Sequence, residues 1–244
     1  MKSLCFFISY TESNHIVDLP FIKELNRHFD EVVVITNVPM DNNDYKHMVL
    51  PNMGYDFGFL YRAIEATDLS GVSVLGFINN SNILLSDRNL DGFFAWSKSN
   101  NSNFIGITDS HEAPRGIKPN KSYHIQSHFL VFKNDAINLL GDFFKEINFK
   151  KLFAIKNQKK LRKAIIKQCE IGLSQYMIKK GQGPVSWFKA EKMNSRYNRP
   201  VQTNMHVMLW EELIKEDYPL IKKKIVTGDW DNIIPNSSNK YKYI

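Results

Sequence analysis

The chain has little cysteine and no long hydrophobic run among its 244 residues. Cys5 and Cys169 are its only cysteines, and their wide separation gives neither a zinc-ligand spacing nor a disulfide framework. We therefore expect two reduced core thiols in a cytoplasmic protein. Apolar runs such as residues 4–8 have the length of a strand, not of a membrane span. No small-residue cleavage site follows that run, so we expect a first buried strand and no secretory signal.

Several common catalytic motifs are also missing. The sequence has no Gly-x-x-x-x-Gly-Lys phosphate loop and no Gly-x-Gly-x-x-Gly dinucleotide turn. It has no Gly-x-Ser-x-Gly nucleophile elbow, and neither His-Glu-x-x-His nor Cys-x-x-Cys occurs. These absences argue against phosphate-loop nucleotidases, Rossmann dehydrogenases, α/β-hydrolases and zinc hydrolases.

Positive charge is present in excess, with a formal net charge of +7. Residues 145–167 contain nine Lys or Arg and a single Glu. This segment fits an anionic partner, which could be a phospholipid surface, a pyrophosphate or a nucleic acid, or it is simply a solvated helix face. The basic residues are not interleaved with stacking aromatics as in RNA-reading modules, so we expect no nucleic-acid partner.

Apolar patterning predicts strands that alternate with helices over the first ~140 residues. Residues 31–36 are a β-branched run typical of a strand that is buried on both faces. Residues 72–78 and 104–108 have the same character, and helical periodicity marks residues 19–29, 59–66 and 135–144. Residues 161–176 continue with an apolar stripe of helical spacing, and we expect residues 181–203 to form a loop. The pattern predicts an α/β sandwich with a mostly parallel sheet and a helical C-terminal region.

Short polar groups follow the predicted strands. They are Ser9-Tyr10, the turn Asn52-Met53-Gly54-Tyr55-Asp56, the triplet Asn79-Asn80-Ser81, Thr108-Asp109-Ser110, and His124-Ile125-Gln126-Ser127. The carboxyl ends of parallel strands meet at one edge of a sheet, where ligands bind, so we expect a cleft there. Glycines in the turn let backbone approach a ligand closely. Each group also has a structural interpretation as a helix cap, a turn or a satisfied buried imidazole.

The order of these elements resembles the nucleotide-sugar half of GT-A glycosyltransferases. More closely, the chain resembles the rhamnan synthesis F-like family of bacterial polysaccharide glycosyltransferases. The matching segments cover nearly the whole chain: Ile8-Ser9-Tyr10, Asn52-x-Gly54-Tyr55-Asp56-Phe57-Gly58, Asn79-Asn80-Ser81, Gly106-Ile107-Thr108-Asp109-Ser110, His124-Ile125-Gln126-Ser127-His128-Phe129, Glu170-Ile171-Gly172-Leu173-Ser174, and Trp210-x-x-Leu213-Ile214 before Pro219-Leu220-Ile221-Lys222.

The resemblance implies a GT-A-like three-layer sandwich that moves a hexose from a nucleotide sugar to a surface glycan of the O-antigen, capsule or rhamnan type. It divides the chain into a donor-binding half at 1–144, an acceptor-side helical region at 145–235 and a polar tail at 236–244. The implied donor-binding residues are Ser9, Tyr10, Asn52, Gly54, Tyr55, Asp56, Asn79, Asn80 and Ser81. The implied acceptor-binding residues are His124, Gln126, Ser127 and Trp187.

The resemblance also implies an inverting reaction with a carboxylate base. Glu170, which lies on the apolar stripe beside Cys169, is the first candidate, and Asp109 is the second. A solvated helix glutamate is the alternative interpretation of Glu170. The family's triplet is Asn-Asp-Ser, and Asn80 replaces its acid here. Because an amide oxygen is a poorer ligand than a carboxylate for a hard cation, Asn80 counts against the Mg²⁺ or Mn²⁺ that the resemblance implies.

The basic segment and Trp187-Phe188 suggest contact with the inner face of the cytoplasmic membrane, where a lipid-linked or oligosaccharide acceptor would be met. A second hypothesis is a non-catalytic carbohydrate-binding or assembly partner of the same fold, which the missing acid favours.

Overall fold

The computed structural model describes residues 2–9, 15–39 and 45–227. Tyr10 and the predicted polar tail at 236–244 lie outside the described residues. Within them, an eight-stranded sheet forms the centre of the molecule. Its strands are β1 (Lys2–Ile8), β2 (Glu31–Thr36), β3 (Lys46–Val49), β4 (Val72–Asn79), β6 (Phe104–Ser110), β7 (His124–Ile125), β8 (Phe129–Lys133) and β9 (Val185–Phe188). The strand β5 (Asn82–Leu84) pairs outside this sheet with β10 (Leu220–Lys222).

Six of these eight strands run in the same direction. The order is β3-β2-β1-β4-β8-β6-β7, and β9 pairs with β6. Pairing is parallel from β3 through β4 and between β6 and β9, whereas β8 and β7 run antiparallel to their neighbours. The predicted mostly parallel sheet is confirmed.

Side chains alternate between two apolar layers because successive residues of a strand face opposite sides of the sheet. On β1, Phe6 points to one core cluster and Phe7 to the other, and both are fully buried. Burial of one such side chain contributes about 1.5–3 kcal/mol to folding. The two clusters together confirm the predicted three-layer α/β sandwich.

Helices cover both faces of the sheet. One layer contains α2 (Tyr55–Ala66), α4 (Asp135–Glu146), α5 (Phe149–Phe153), α6 (Gln158–Ile165) and α7 (Gly172–Lys179). The other contains α1 (His15–Leu25), α3 (Asp91–Ser99), α8 (Ala190–Arg196), α9 (Met205–Met208) and α10 (Trp210–Lys215). The helix α11 (Lys223–Thr227) follows β10, and residues Pro119–Lys121 form a 3₁₀ turn. No helix in the described ranges has both the length and the apolar character of a membrane span.

Side-chain caps explain where the basic helices begin. The Asn148 side chain accepts a hydrogen bond from the Lys151 N–H, and the Asn157 side chain accepts one from the Lys160 N–H. Each cap satisfies one of the N–H groups that the first helical turn leaves without a partner. The apolar stripe between residues 161 and 176 then continues through α6, a π-helical turn at Ile166–Ile171, and α7.

The expectation of a loop at residues 181–203 was wrong, because this segment contains both β9 and α8. The strand β9 has four residues and gains its stability from β6, about 80 residues earlier in the chain, so local patterning did not indicate it. The C-terminal region is therefore helical with two added strands, since β10 also belongs to it. The functional division of the chain at residue 144 stays a prediction.

Candidate active site

The order of the strands places a crevice between β1 and β4. The chain moves from β1 outwards to β2 and β3, then returns to place β4 on the other side of β1. At such a reversal, the connections after the two central strands leave in opposite directions, and ligands of α/β proteins bind at the carboxyl ends of the strands there. Ser9 follows β1, and Asn79 ends β4.

We call the side chains around this crevice the polar edge. Its members are Ser9, Asp18, Asp56, Asn79, Asn80, Ser81, Ser127, Glu170, Lys222 and Lys223.

A buried hydrogen-bond cluster joins the two central strands at the polar edge. Asp18 of α1 is 3% exposed and accepts hydrogen bonds from the Ser9 hydroxyl at 2.7 Å and from the Asn80 amide at 2.8 Å. The Lys223 ammonium lies 2.5 Å from the other oxygen of the Asp18 carboxylate. An ionised carboxylate that is buried this deeply requires such partners. Ser9 and Asn80 are thus held in place by an acid and a base that the sequence did not single out.

The predicted donor turn, residues 52–58, has an unusual backbone. Gly54 and Tyr55 have positive φ angles of 84° and 55°. A Cβ at Gly54 would lie 2.4 Å from the Phe153 ring, and a Cβ at Gly58 would lie 1.6 Å from the Met53 carbonyl oxygen. The glycines were expected to make room for a ligand, but protein atoms occupy the space beside both of them. They allow the turn to pack against α2 and α5.

The same turn carries Asp56 to the end of β4. The Asp56 carboxylate accepts a 2.6 Å hydrogen bond from the Asn79 side-chain amide, and the side-chain oxygen Oδ1 of Asn79 accepts one from the Ser81 N–H. The predicted turn and the predicted triplet therefore meet, as the sequence indicated. Asn79 also donates its backbone N–H to the His128 carbonyl, which ties the triplet to the loop before β8.

The triplet does not fit a divalent metal ion. A carboxylate only accepts hydrogen bonds, so the amide N–H groups of Asn79 and Asn80 must face Asp56 and Asp18. Among the described residues, the group of three acidic or histidine side chains close enough to share an ion is Glu24, His28 and Asp91. That group joins α1 to α3, away from the polar edge, and the Arg27 guanidinium already pairs with two of its members.

Glu170 lies in the π-helical turn. Its carboxylate accepts a hydrogen bond from the Ser127 N–H at 2.9 Å and is half-buried. Four residues later the Ser174 hydroxyl accepts the Ile125 N–H, so the same helix holds the whole loop that contains Gln126 and Ser127. Single π-helical turns within α-helices occur frequently at functional sites. The structure thus brings Glu170 and Ser127 together.

Lys222 is a member of the polar edge that the sequence marked only as part of a late matching segment. The pairing of β10 with β5 places it opposite Asn82, directly after the triplet. Its half-buried ammonium interacts electrostatically with the carboxylates of Glu170 and Asp56. Burial lowers the pKa of the Lys222 amine, and these two carboxylates oppose that shift.

A buried polar network lies beneath this edge. The Thr108 hydroxyl donates to the side-chain oxygen Oε1 of Gln126 at 2.9 Å and lies 2.9 Å from the His206 ring. The His128 ring contacts the Tyr218 hydroxyl at 3.2 Å. Burial lowers the pKa of both His128 and His206 well below the usual range, so both rings are neutral near pH 7. Gln126, a predicted acceptor residue, is held in this network. Isolated histidines in a sequence give no signal for such pairing.

Asp109, the second candidate for the base, forms hydrogen bonds that connect elements of the fold. Its carboxylate accepts hydrogen bonds from the Ser186 hydroxyl at 2.7 Å and from the Ala190 N–H at 2.6 Å. Burial raises the pKa of Asp109, and these two hydrogen bonds act against that rise. The contacts fix β9 and the start of α8 against β6.

His124 and Trp187 also serve the packing of the chain. The buried His124 ring contacts the Ser122 carbonyl at 2.7 Å through Nδ1. The Trp187 ring is half-buried between Phe93, at 6.0 Å, and the backbone of Gly92. The assignment of both residues to the acceptor stays a prediction.

The basic segment borders the predicted donor turn. The Tyr55 hydroxyl contacts the Gln158 side chain at 3.1 Å, and the Arg62 guanidinium lies 5.0 Å from the centre of the Phe153 ring. The exposed cations of α5, α6 and the π-helical turn are Lys150, Lys151, Lys159, Lys160, Arg162, Lys163 and Lys167.

Comparison with known proteins finds only weak structural similarity. No family model matches the chain, and no curated protein matches it. Similar solved structures include a 4-diphosphocytidyl-2C-methyl-D-erythritol synthase from Anaerococcus prevotii DSM 20548, with 9% identity, a TM-score of 0.44, and coverage of 77% of this chain and 89% of that one. A glycosyltransferase involved in the glycosylation of the major capsid of PBCV-1 also has 9% identity and a TM-score of 0.44, with coverage of 91% and 94%. Likeness at this level carries no inference about activity, and membership of the rhamnan synthesis F-like family stays a prediction.

Proposed function

We propose that this protein is a GT-A-type glycosyltransferase that moves a hexose from a nucleotide sugar to a growing bacterial surface glycan of the O-antigen, capsule or rhamnan type. The observation that carries the proposal is the Asp56–Asn79 hydrogen bond at the carboxyl end of β4. It joins two segments that the sequence independently suggested as donor contacts. Asp56 and Glu170 both interact electrostatically with Lys222, close to the reversal of strand order.

The donor occupies the crevice between the turn at residues 52–58 and the triplet. The half-buried Asp56 and Tyr55 and the exposed Asn52 supply acceptors and donors for the nucleoside, and Ser81 lies beside the path of the diphosphate. Such preorganised dipoles stabilise charge as it develops on the departing diphosphate.

Glu170 acts as the general base in this proposal. Its carboxylate removes the proton from the acceptor hydroxyl, whose oxygen attacks the anomeric carbon from the face opposite the diphosphate. The bond between that carbon and the diphosphate oxygen breaks, and its electron pair leaves with the nucleoside diphosphate, so configuration is inverted. The Ser127 N–H, which donates to Glu170 at 2.9 Å, orients the carboxylate for this task.

The first test is binding of donors. A thermal-shift screen of nucleotide sugars is expected to raise the melting temperature for one nucleotide, since a ligand that binds only the folded state stabilises it by mass action. Calorimetry then gives the dissociation constant. Absence of binding by every common nucleotide sugar and nucleoside diphosphate would refute the proposal.

The second test is Glu170→Gln. Glutamine retains an oxygen that can accept the Ser127 N–H but cannot take a proton from the acceptor. We expect kcat for transfer to fall about 100- to 10,000-fold while donor binding is retained. Glu146→Gln, at an exposed glutamate that ends α4, is the matched control and should retain normal activity. Near-normal transfer by Glu170→Gln would remove Glu170 from this role.

The second candidate function is a non-catalytic carbohydrate-binding or assembly protein of the same fold. The observation that favours it is that the triplet carries no acid, and that both of its amides donate to carboxylates of the protein. A protein of this kind would bind the donor or a glycan but neither hydrolyse nor transfer the sugar. Turnover of the bound nucleotide sugar separates the two functions.

Peripheral contact with an anionic membrane is the third part of the proposal. The basic segment supplies exposed lysines on α5 and α6, and these helices pack against the donor turn through Phe153 and Gln158. A membrane that binds this face would hold a lipid-linked acceptor close to the crevice. Each Lys or Arg near an anionic surface contributes about 1 kcal/mol.

A further inference from the structure

A nucleoside diphosphate brings two or more negative charges to a crevice that already contains Asp56 and Glu170. Such a ligand binds only if cations or hydrogen-bond donors balance these charges. A divalent metal ion would normally do this in the proposed class of enzyme, but the triplet offers it two amides and no carboxylate, and both amides donate to carboxylates of the protein. The polar edge must therefore contain another source of positive charge.

We propose that the Lys222 ammonium binds the diphosphate of the nucleotide and replaces a divalent metal ion at this site. The inference rests on the proposed function, because it takes the ligand to be a nucleotide that carries a diphosphate.

The position of Lys222 is rigidly determined. Its strand pairs with β5 in the register Leu220–Leu84, Ile221–Ile83 and Lys222–Asn82. The next residue donates its backbone N–H to the Ser81 carbonyl at 3.0 Å and its ammonium to Asp18. The β10–β5 pairing, the hydrogen bond to Ser81 and the Lys223–Asp18 ion pair thus fix the backbone of Lys222 next to the triplet.

Lys222 differs from the neighbouring cations in having no fixed partner. Within the described residues its ammonium forms no hydrogen bond and no ion pair, although the side chain is half-buried. Lys223 is committed to Asp18, and Arg62 is committed to the Pro51 carbonyl and the Phe153 ring. A half-buried ammonium that lacks a partner costs stability, and a bound phosphate would remove that cost.

The groups around Lys222 include several carboxylates, so an anion can bind beside it only when the amine of Lys222 is protonated. The titratable and charged groups that interact with it come from six segments of the chain: Asp56 in α2, Glu112 after β6, Glu170 in the π-helical turn, Lys224 in α11, and the neutral pair His128, before β8, and His206, in α9. Three carboxylates would repel a diphosphate if the ammonium were absent.

Calorimetry with UDP, GDP, CDP, ADP, dTDP and inorganic pyrophosphate tests the inference, with either EDTA or Mn²⁺ in the buffer. For the nucleotide that binds, we expect similar affinity in both buffers. Lys222→Met should weaken diphosphate binding about 10- to 150-fold, the range for loss of a charge-assisted hydrogen bond. Lys222→Arg should restore most of it. Lys215→Met, at an exposed lysine that ends α10, is the matched control and should bind normally.

Two further measurements remove ambiguity. In the wild-type protein, diphosphate affinity should fall as the pH rises through the lowered pKa of Lys222, before an ordinary lysine would titrate. Circular dichroism and melting confirm that Lys222→Met is folded, and its melting temperature should rise because burial disfavours the charged amine.

The outcomes separate the inference from the proposed function. Nucleotide binding that requires Mn²⁺, or that Lys222→Met leaves unchanged, overturns the inference and leaves the function standing. Binding of pyrophosphate that depends on Lys222, without any nucleotide binding, supports the diphosphate site and overturns the function. Absence of binding by every probe overturns both.

Discussion

Gly58 provides a test of the donor turn that does not depend on any assumed substrate. It lies in the first turn of α2, where the backbone of residues 52–54 crosses the helix. A Cβ there would lie 1.6 Å from the Met53 carbonyl oxygen, whereas ordinary contact begins at 3.4 Å. Gly58→Ala must therefore move the turn by about 1.8 Å or bend the helix, because the obstacle is backbone and no rotamer relieves it.

Gly141 is the matched control. It lies inside α4, and a Cβ at this position meets nothing within 4 Å. Gly141→Ala should stabilise the protein by about 1 kcal/mol, the usual difference in helix propensity. Gly58→Ala gains the same amount but suffers a steric cost of about 3 kcal/mol or more, so its net loss should be at least about 2 kcal/mol.

The same chemical change is thus expected to shift stability in opposite directions at two helical positions. For a chain of this size, the melting temperature should rise by about 2–4 °C for Gly141→Ala and fall by about 4–8 °C for Gly58→Ala. Urea unfolding with linear extrapolation measures both free energies. If Gly58→Ala is neutral or stabilising, the close approach of the turn to α2 is incorrect, and with it the position of Asp56.

Two further predictions concern the histidine pair and the basic segment. Because burial lowers the pKa of both histidines in the folded state, the unfolded chain binds more protons below about pH 6.5, and stability should be lost as the pH falls through that range. The free energy of unfolding should change with pH by up to about 1.4 kcal/mol per pH unit for each histidine. Urea titrations between about pH 7.5 and 5.5 measure this slope, and His206→Gln should lower it. An unchanged slope would contradict the burial of a neutral His206. Replacing Lys159, Lys160 and Lys163 by Gln should lower the affinity for anionic liposomes, measured by flotation, about 100-fold and leave binding to neutral liposomes unchanged. Flotation of the wild-type protein that does not depend on anionic lipid would count against membrane contact.

Much of the sheet could be predicted because its central strands are encoded locally. Residues 31–36 form a β-branched run and became a strand with those limits. The run at 72–78 extends by one residue to Asn79, which is how the triplet comes to begin at the end of a strand. Short strands at the margins were missed, since β9 and β10 depend on partners far away in the sequence.

The candidate site was predictable only in part, for a related reason. Asp56 and Asn79 follow apolar runs, so the general rule about strand ends identified them, whereas Glu170 was indicated by the family resemblance and by the apolar helical stripe. Asp18 resembled an ordinary first-turn acid of a helix, and its partner Lys223 lies 205 residues later. A residue whose role depends on such a distant contact has no local signature.

Asp18 also gives a physical reason for the amide at position 80. The Asn80 amide donates to the Asp18 carboxylate at 2.8 Å in a buried setting. An aspartate at position 80 would place two carboxylates face to face at that distance, an arrangement that is stable only when they share a proton or bind a cation. Here Lys223 pairs with Asp18, and the amide completes the arrangement without a second negative charge. The amide at position 80 and the two consecutive lysines therefore belong to one electrostatic arrangement, in which Lys223 neutralises the Asp18 carboxylate and, in our proposal, Lys222 binds the ligand.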